Sequence, residues 1–502
     1  MFRLKHLDID TLQEHVVFIH EDAVKAGNLG FRPLDRVRVV EANPVNSPPR
    51  EVTGVLNFCR NSLVARDEIG VSDVAARDLG LADGARVQAT LSPAPPSVDR
   101  VRAKLEGQRL DRAAFDAILR DVTQHRYSKV ELSMFVLACA LRSLDNDELV
   151  AYTQAMIATG TKLSLGASVI ADKHCVGGVP GNRTTMIVVP ILAALGVVVP
   201  KTSSRAITSP AGTADTMGVL AEVALGPDRL VEVIRDAGAC IAWGGSLDLA
   251  PADDILITVE RPMEVDTEAQ MVASILAKKK SVGATHVLID IPVGPSAKVR
   301  SAAAAERLEG LFRVVAREIE LHLDVIATEA RGPIGLGIGP RLEALDVLAV
   351  LRREAQAATD LREKSLYLAA RLLEMTGVAP PAGGYRTAQQ ALDSGAAERA
   401  FERIISAQGE RPIPPEAPYR RTVVAPADGH IRHIDCWHMA RIAKCAGAPA
   451  HAAAGVRMLR SVGDVVARGE PIFEIHAQSP GQLEFAASYA ARQEPHLFQF
   501  GF

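Results

Sequence analysis

The spacing of apolar residues changes several times along the chain, and each change predicts a change of architecture. Over residues 1–90 short Val-bearing runs are broken by Gly and Pro, a strand pattern. GFRPLDRVRVV at 30–40 is echoed by GLADGARVQAT at 80–90: a turn, a small or acidic residue, then Val-bearing positions. Two such halves predict a small pseudo-symmetric β-barrel. LSPAPPSVD at 91–99 holds three prolines, none with a backbone N–H, and reads as a linker. From Val101 to about Gly160 the period becomes helical, with Leu105, Leu110, Phe115, Ile118, Leu119, Val122, Leu132, Phe135, Val136 and Leu137 mostly three to four apart. Between 167 and 260 strand-like runs (ASVIAD, VVVPKT, CIAWGG) alternate with helical ones, which implies an α/β sheet with crossover helices. MVASILAKKK (271–280) reads as helix, THVLIDIPVG (285–294) as strand, and 296–380 as Ala/Leu/Arg-rich helices. Four prolines within 412–418 mark a second linker, and the chain beyond it is β-rich.

The expected fold class is therefore α/β with four parts: a β-barrel domain over 1–90, a helical domain over 100–165 joined by 250–282, an α/β domain with a mixed sheet from 166–249 and 283–410, and an α+β module over 419–502. In that module GVRMLRSVGDVVARGEPIFEIHA (455–477) resembles the hammerhead turn of biotinyl and lipoyl domains. It contains no lysine to modify, so a structural module is expected there.

The 502 residues carry 56 Lys plus Arg against 60 Asp plus Glu, a formal charge of -4 that lacks the basic excess of a nucleic-acid binder. The six cysteines (59, 139, 175, 240, 436 and 445) form no CxxC and read as reduced thiols, not as a disulfide framework or a zinc site. MFRLKHLDIDTLQEH is too charged for a signal peptide, and MIVVPILAALGVVVP (186–200) is short and interrupted by Pro190 and Gly196. A cytoplasmic protein without a membrane partner is expected.

Two segments carry candidate chemistry. In SVIADKHCVGGVPGNRTTM (168–186) a strand over Ser168–Ala171 is expected to run into Asp172-Lys173-His174, then a loop with Gly177, Gly178 and Gly181, then a helix from near Thr184. Glycines let backbone N–H groups approach an anion, the helix start adds partial positive charge, Lys173 adds a full one and Thr185 a hydroxyl. PKTSSRAITSPAGTADTMG (200–218) gathers Lys201, Thr202, Ser203, Ser204, Arg205, Thr208, Ser209 and Thr213. A hydroxyl-dense run with one Arg suits a buried phosphate or ribosyl group; a capped surface turn is the plainer reading. Two such loops after successive strands favour a ligand, which in α/β sheets sits outside the strand carboxyl ends.

With DKHxxGG followed by SSRAITSPAGTADTM, the chain resembles the pyrimidine nucleoside phosphorylase family, which includes thymidine phosphorylases. It is most similar to the AMP phosphorylases within that family, which also carry the extra amino-terminal domain. The resemblance implies a pentosyltransferase that cleaves an N-glycosidic bond with inorganic phosphate, without cofactor or metal. It implies phosphate ligands at Lys173, Thr185, Ser203 and Thr213, with Cys175 where the family usually has Ser, and nucleoside contacts at Ser274 and Lys278. For the AMP type it adds nucleotide contacts at Gly178, Ser204, Arg205, Ala206, Ile207, Thr208, Ser209, Thr213 and Lys298, and a proton donor at Asp266. It further implies a homodimer or higher homo-oligomer whose domains close to bring the phosphate loop toward Ser274 and Lys278. On residue type alone Asp266 can also be a helix N-cap, a role compatible with the first, and His174 either contacts the sugar or makes a structural hydrogen bond.

Two departures bear on the substrate. Thymidine phosphorylases place an Arg where LAPADDILI (249–257) has Asp253, an acceptor in place of a donor, suited to adenine's exocyclic amine. The family's VGSGAF loop reads VGPSAKV (293–299), which adds the cation Lys298. The expected substrate is AMP, giving adenine and ribose 1,5-bisphosphate, with thymidine phosphorolysis as the alternative. A phosphoribosyltransferase using Asp253 and Asp254 for Mg²⁺, and a non-catalytic nucleotide sensor, are the rivals of other classes.

Overall fold

The computed structural model describes residues 1–501 except 12–13, 45–47, 207–208 and 266. The chain divides into two units, Met1–Gly160 with Ala250–Ala277, and Thr161–Leu249 with Lys278–Phe502.

In the first unit, β1 (Phe2–His6), β2 (Val16–His20), β3 (Arg36–Glu41), β4 (Glu51–Cys59), β5 (Glu68–Val71) and β6 (Arg86–Leu91) close a barrel in the order β1-β5-β2-β4-β3-β6. Helix α1 (Glu21–Gly27) links β2 to β3, and α2 (Asp73–Leu79) links β5 to β6. The pairs β1–β5 and β2–β4 are parallel, whereas β1–β6, β3–β4, β2–β5 and β3–β6 are antiparallel. Exchanging the half β1-β2-α1-β3 for β4-β5-α2-β6 leaves this set unchanged. The echoed segments thus become β3 and β6, paired with each other across a pseudo-twofold axis. Val17, Ile19, Val37, Val39, Ile69 and Val71 alternate inward and are fully buried, as the two-residue side-chain period requires.

Four helices follow: α3 (Ser97–Leu105), α4 (Arg112–Thr123), α5 (Lys129–Leu141) and α6 (Asn146–Thr159). Asp111, Ser128 and Asp145 cap α4, α5 and α6, the last two in reciprocal boxes with Glu131 and Glu148. Phe115, Ile118, Leu119, Val122, Phe135 and Val136, singled out by their spacing, are fully buried.

The second unit begins with β7 (Ala171–Cys175), α7 (Thr185–Ala194), β8 (Val199–Ser203), α8 (Thr213–Met217), α9 (Pro227–Ala237) and β9 (Ala239–Trp243). The chain then enters α10 (Pro251–Met263) and α11 (Glu268–Ser281); α10 belongs to the first unit, and the boundary crosses α11 after Ala277. It continues with β10 (His286–Val293), α12 (Ala302–Glu318), β11 (His322–Glu329), β12 (Gly337–Ile338), α13 (Pro340–Leu351), α14 (Thr359–Met375), α15 (Gly384–Asp393) and α16 (Ala396–Gln408). Strands β11, β10 and β7 pair in parallel, as do β8 and β9, and a parallel bridge between Ile170 and Val198 joins the two sets. The order is thus β11-β10-β7-β8-β9, and these pairings are all parallel rather than mixed, because helices intervene between successive strands. The apolar run at 186–200 is core: every residue of α7 from Thr185 to Leu192 is buried. Among the described residues no helix is long and apolar enough to cross a membrane.

After the proline segment come β13 (Tyr419–Val424), β14 (Gly429–Ile434), α17 (Cys436–Cys445), β15 (Gly455–Met458), β16 (Val465–Val466), β17 (Pro471–Ala477), α18 (Pro480–Leu497) and β18 (Phe498–Gly501). They form the sheets β12-β15-β17-β13 and β16-β14-β18. Because β12 comes from the preceding α/β part, this module is stitched into the larger unit by a shared sheet.

Candidate active site

Adjacent parallel strands deliver their loops to the same sheet edge, so the segments that follow β7 and β8 emerge side by side. The first strand lies later than the ASVIAD reading placed it. Ala171 to Cys175 pair in register with His286 to Asp290, so Asp172, Lys173 and His174 belong to the strand itself. Alternation then turns Lys173 to one face and its neighbours to the other. Lys173 is 2% exposed. Its Nζ donates to Thr184 Oγ1 at 2.8 Å and to Thr185 Oγ1 at 3.5 Å, at the start of α7. Thr184 Oγ1 donates on to Asn182 Oδ1 at 3.1 Å, and Asn182 Nδ2 reaches Cys175 Sγ at 3.4 Å. Cys175 is therefore already engaged by the loop. Burial pulls the Lys173 ammonium below the ordinary lysine value, with Cys175 and Asp290 opposing it.

Asp290 on β10 is fully buried; it accepts from Thr328 Oγ1 at 2.6 Å and pairs with Lys364 at 3.1 Å. Burial pushes its carboxyl up, but Lys173 and Lys364 outweigh this and hold it below the usual range. On the other face, Asp172 pairs with Lys279 at 2.7 Å and Lys201 at 3.7 Å, and Lys201 Nζ donates to the Lys173 carbonyl at 2.8 Å. Burial first, and the Lys279 charge next, bring Lys201 down to about 7. Burial and then Lys201, Lys279, Lys173 and Lys298 push the His174 imidazole well below its ordinary value.

The two loops are tied together by a residue the sequence reading passed over. Arg183, in the glycine loop, donates to Thr213 Oγ1 at 3.0 Å and the Ala211 carbonyl at 2.8 Å in the second loop, and pairs through Nε with the fully buried Glu343 of α13. Glu343 also accepts from Gly339 N at 3.0 Å and Thr216 Oγ1 at 3.1 Å. Asp215, likewise not singled out, folds the second loop over α8 by accepting from the backbone N–H of Ala206 at 2.6 Å and Gly212 at 2.8 Å. The available signal for Asp215 was an acid three residues after the N-cap position, Gly212, of a short helix that the loop reading of 200–218 did not include. Arg183 and Glu343 lie 160 residues apart with no shared pattern. Ser203 ends β8, and Ser204 and Arg205 are exposed. Arg205 sits 5.0 Å over the Trp243 ring and 3.9 Å from Asp215, and Ser209 Oγ donates to the Ala211 carbonyl at 2.9 Å.

Gly178 (φ 86) backs onto the 293–299 loop: a Cβ there would lie 2.2 Å from the Lys298 backbone nitrogen. Gly181 (φ 74) is equally constrained, its missing Cβ 2.3 Å from the Ile334 carbonyl oxygen. The carboxy-terminal module holds this arrangement from behind, because Cys436 N–H donates to Ser296 Oγ at 3.0 Å. Lys298 is thereby exposed beside Gly178, and its charge reaches His174.

In the first unit, Ser274 Oγ donates to Asp253 Oδ2 at 2.7 Å, and Asp253 is buried in the first turn of α10. Asp253 and Asp254 belong to no group of three candidate metal ligands among the described residues. Lys278 lies one turn beyond Ser274 on α11. Ile207, Thr208 and Asp266 lie outside the described residues.

Residues 98–160 match the helical bundle domain of a glycosyl transferase family, 167–398 its a/b domain, and 430–493 the pyrimidine nucleoside phosphorylase C-terminal domain. A protein named "Putative thymidine phosphorylase" from Polaromonas sp. (strain JS666) is 48% identical over 98% of this chain and 95% of its own length. One of the same name from Ralstonia nicotianae is 48% identical over 97% of this chain and 95% of its own. The anthranilate phosphoribosyltransferase of Thermus thermophilus superposes with a TM-score of 0.53 at 20% identity, over 62% of this chain and 99% of its own, a likeness of fold. The chain belongs to the pyrimidine nucleoside (thymidine) phosphorylase family and is an enzyme of its glycosyltransferase, pentosyltransferase class.

Proposed function

We propose that the protein catalyses phosphorolysis of the N-glycosidic bond of a pyrimidine nucleoside, thymidine first, giving free base and pentose 1-phosphate. The observation that supports it most is the hydrogen-bonded junction of the two loops through Arg183, beside the buried Lys173. In this reading Lys173, Thr185, Ser203 and Thr213 hold the phosphate. Breaking the C1′–N bond develops positive charge on the sugar and negative charge on the departing base. A phosphate fixed beside C1′ stabilises the first and then attacks there. Asp266, if its carboxyl is protonated, neutralises the base; Asp266→Asn should then lower kcat with little change in KM, and an unchanged kcat would end that role. Ser274 and Lys278 contact the nucleoside, and the enzyme works as a homodimer.

A second reading, AMP phosphorolysis, draws on two observations. Asp253 is an acceptor where the thymidine enzymes place Arg, and the Lys298 cation stands beside Gly178. Gly178, Ser204 to Ser209 and Thr213 would then contact the nucleotide, with Lys298 on its 5′-phosphate. Base release from thymidine and from AMP, each with and without phosphate, separates the readings. Phosphate-dependent turnover of thymidine alone supports the first. Turnover of AMP, with Lys298→Ala raising KM about tenfold or more for AMP but not for adenosine, supports the second. Release without phosphate, or from neither substrate, counts against both.

A further inference from the structure

Three metal-competent side chains that the proposed chemistry does not use converge within the first unit. His15 precedes β2, Asp78 lies in the last turn of α2, and His125 follows α4, so the barrel supplies two ligands and the helices one. One ligating atom from each lies within 4.8 Å of the other two. His15 is 4% exposed; its Nδ1 faces the Thr53 carbonyl oxygen at 3.1 Å and its Nε2 faces Asp78 Oδ2 at 2.8 Å. The carbonyl only accepts, so Nδ1 carries a proton. In the neutral ring Nε2 then points a lone pair at a carboxylate oxygen, an arrangement that requires a positive centre between them. A backbone carbonyl fixing Nδ1–H is also the outer hydrogen bond that orients a metal-binding imidazole. The ring of His125 stacks on that of His15, centroids 3.9 Å apart. The backbone of His125 is left-handed (φ 52), a conformation a residue with a Cβ rarely adopts. The adjoining cavity of about 10 Å³ holds one water-sized ligand. Arg36 and Lys129 also line it, with Glu14 on both and Glu131 on Arg36 as countercharges.

We propose that His15 Nε2, Asp78 and His125 bind one divalent transition-metal ion of the zinc class, with water in the fourth position, and so pin the barrel to the helices. Two imidazoles and a carboxylate are a donor set suited to such an ion, and any proton on His15 Nε2 leaves to solvent as the metal enters. The full-length chain, stripped with a chelator, is titrated with zinc chloride by calorimetry and with cobalt(II) by visible absorption. The expected result is one equivalent per chain, cobalt bands of low coordination number, and a higher melting temperature with metal. His125→Ala and the isosteric Asp78→Asn should each weaken binding at least about tenfold while melting like the wild type in chelator. A wild type that binds neither ion overturns the proposal in favour of a plain proton between His15 and Asp78. Unchanged affinity in both variants also overturns it, by placing the metal elsewhere.

Discussion

Replacement of Lys173 by Met is expected to lower kcat/KM by about 10³-fold or more, because it deletes a full positive charge at the head of the glycine loop. The substitution conserves volume, so no cavity forms in a position that is 2% exposed. Asp290 keeps Lys364 at 3.1 Å and Thr328 at 2.6 Å, so its carboxylate is not left bare and the strand should hold its register. The loss should therefore appear in activity and phosphate affinity, not in melting temperature. In the proposed mechanism that charge also acts on the transition state, so saturating phosphate should restore little. A pH series adds a second readout. Burial lowers the Lys173 value, so its proton leaves earlier on the alkaline side than that of an ordinary lysine. Phosphate affinity should fall as pH rises through that range in the wild type, and this alkaline limb should be missing in Lys173→Met. Near-normal turnover in the variant would remove Lys173 from the phosphate site.

What the sequence made legible follows from how local each signal is. The barrel announced itself because β3 and β6 repeat each other, and symmetry survives in one dimension. The helices of the first unit were readable from a three-to-four residue period; Ser128 and Asp145, which carry their capping partners three residues on, were a further signal that went unread. Strand β7 was misplaced by a few residues. Its apolar prefix Ser168–Ile170 looks like strand, whereas the charged ADKHC is strand only because β10 and the Ile170–Val198 bridge hold its register. Buried charges in a central strand contradict propensity and are tolerated here because each has a partner: Asp172 with Lys279, and Lys173 with Thr184. Long-range pairing left no trace at all. Asp253 was noticed for what it replaces, but its hydrogen bond from Ser274 follows only from the packing of α10 beside α11. The same holds for His15, Asp78 and His125, which no spacing rule connects.

Removing Arg183 should show how far the two loops depend on one buried ion pair. Arg183→Met leaves Glu343, fully buried, without its cation and frees Thr213 and the Ala211 carbonyl from their donor. An uncompensated buried charge costs about 3–5 kcal/mol, so a marked drop in the denaturant midpoint is expected. Pairing it with Glu343→Gln removes the stranded charge, while the amide oxygen still accepts from Gly339 N–H or Thr216 Oγ1, which lie 3.0 and 3.1 Å from the carboxylate oxygens. The double variant should therefore recover most of the lost stability. Function should not return with it. Arg183 then no longer links the glycine loop to Thr213, and the KM for phosphate should stay raised by about tenfold or more in both variants, about 1.5–3 kcal/mol being the worth of a hydrogen bond to a charged group. Stability restored together with phosphate affinity would mean that the pair serves only the core. Equal instability in the single and double variants would mean that packing around Arg183, not its charge, holds α7 to α13.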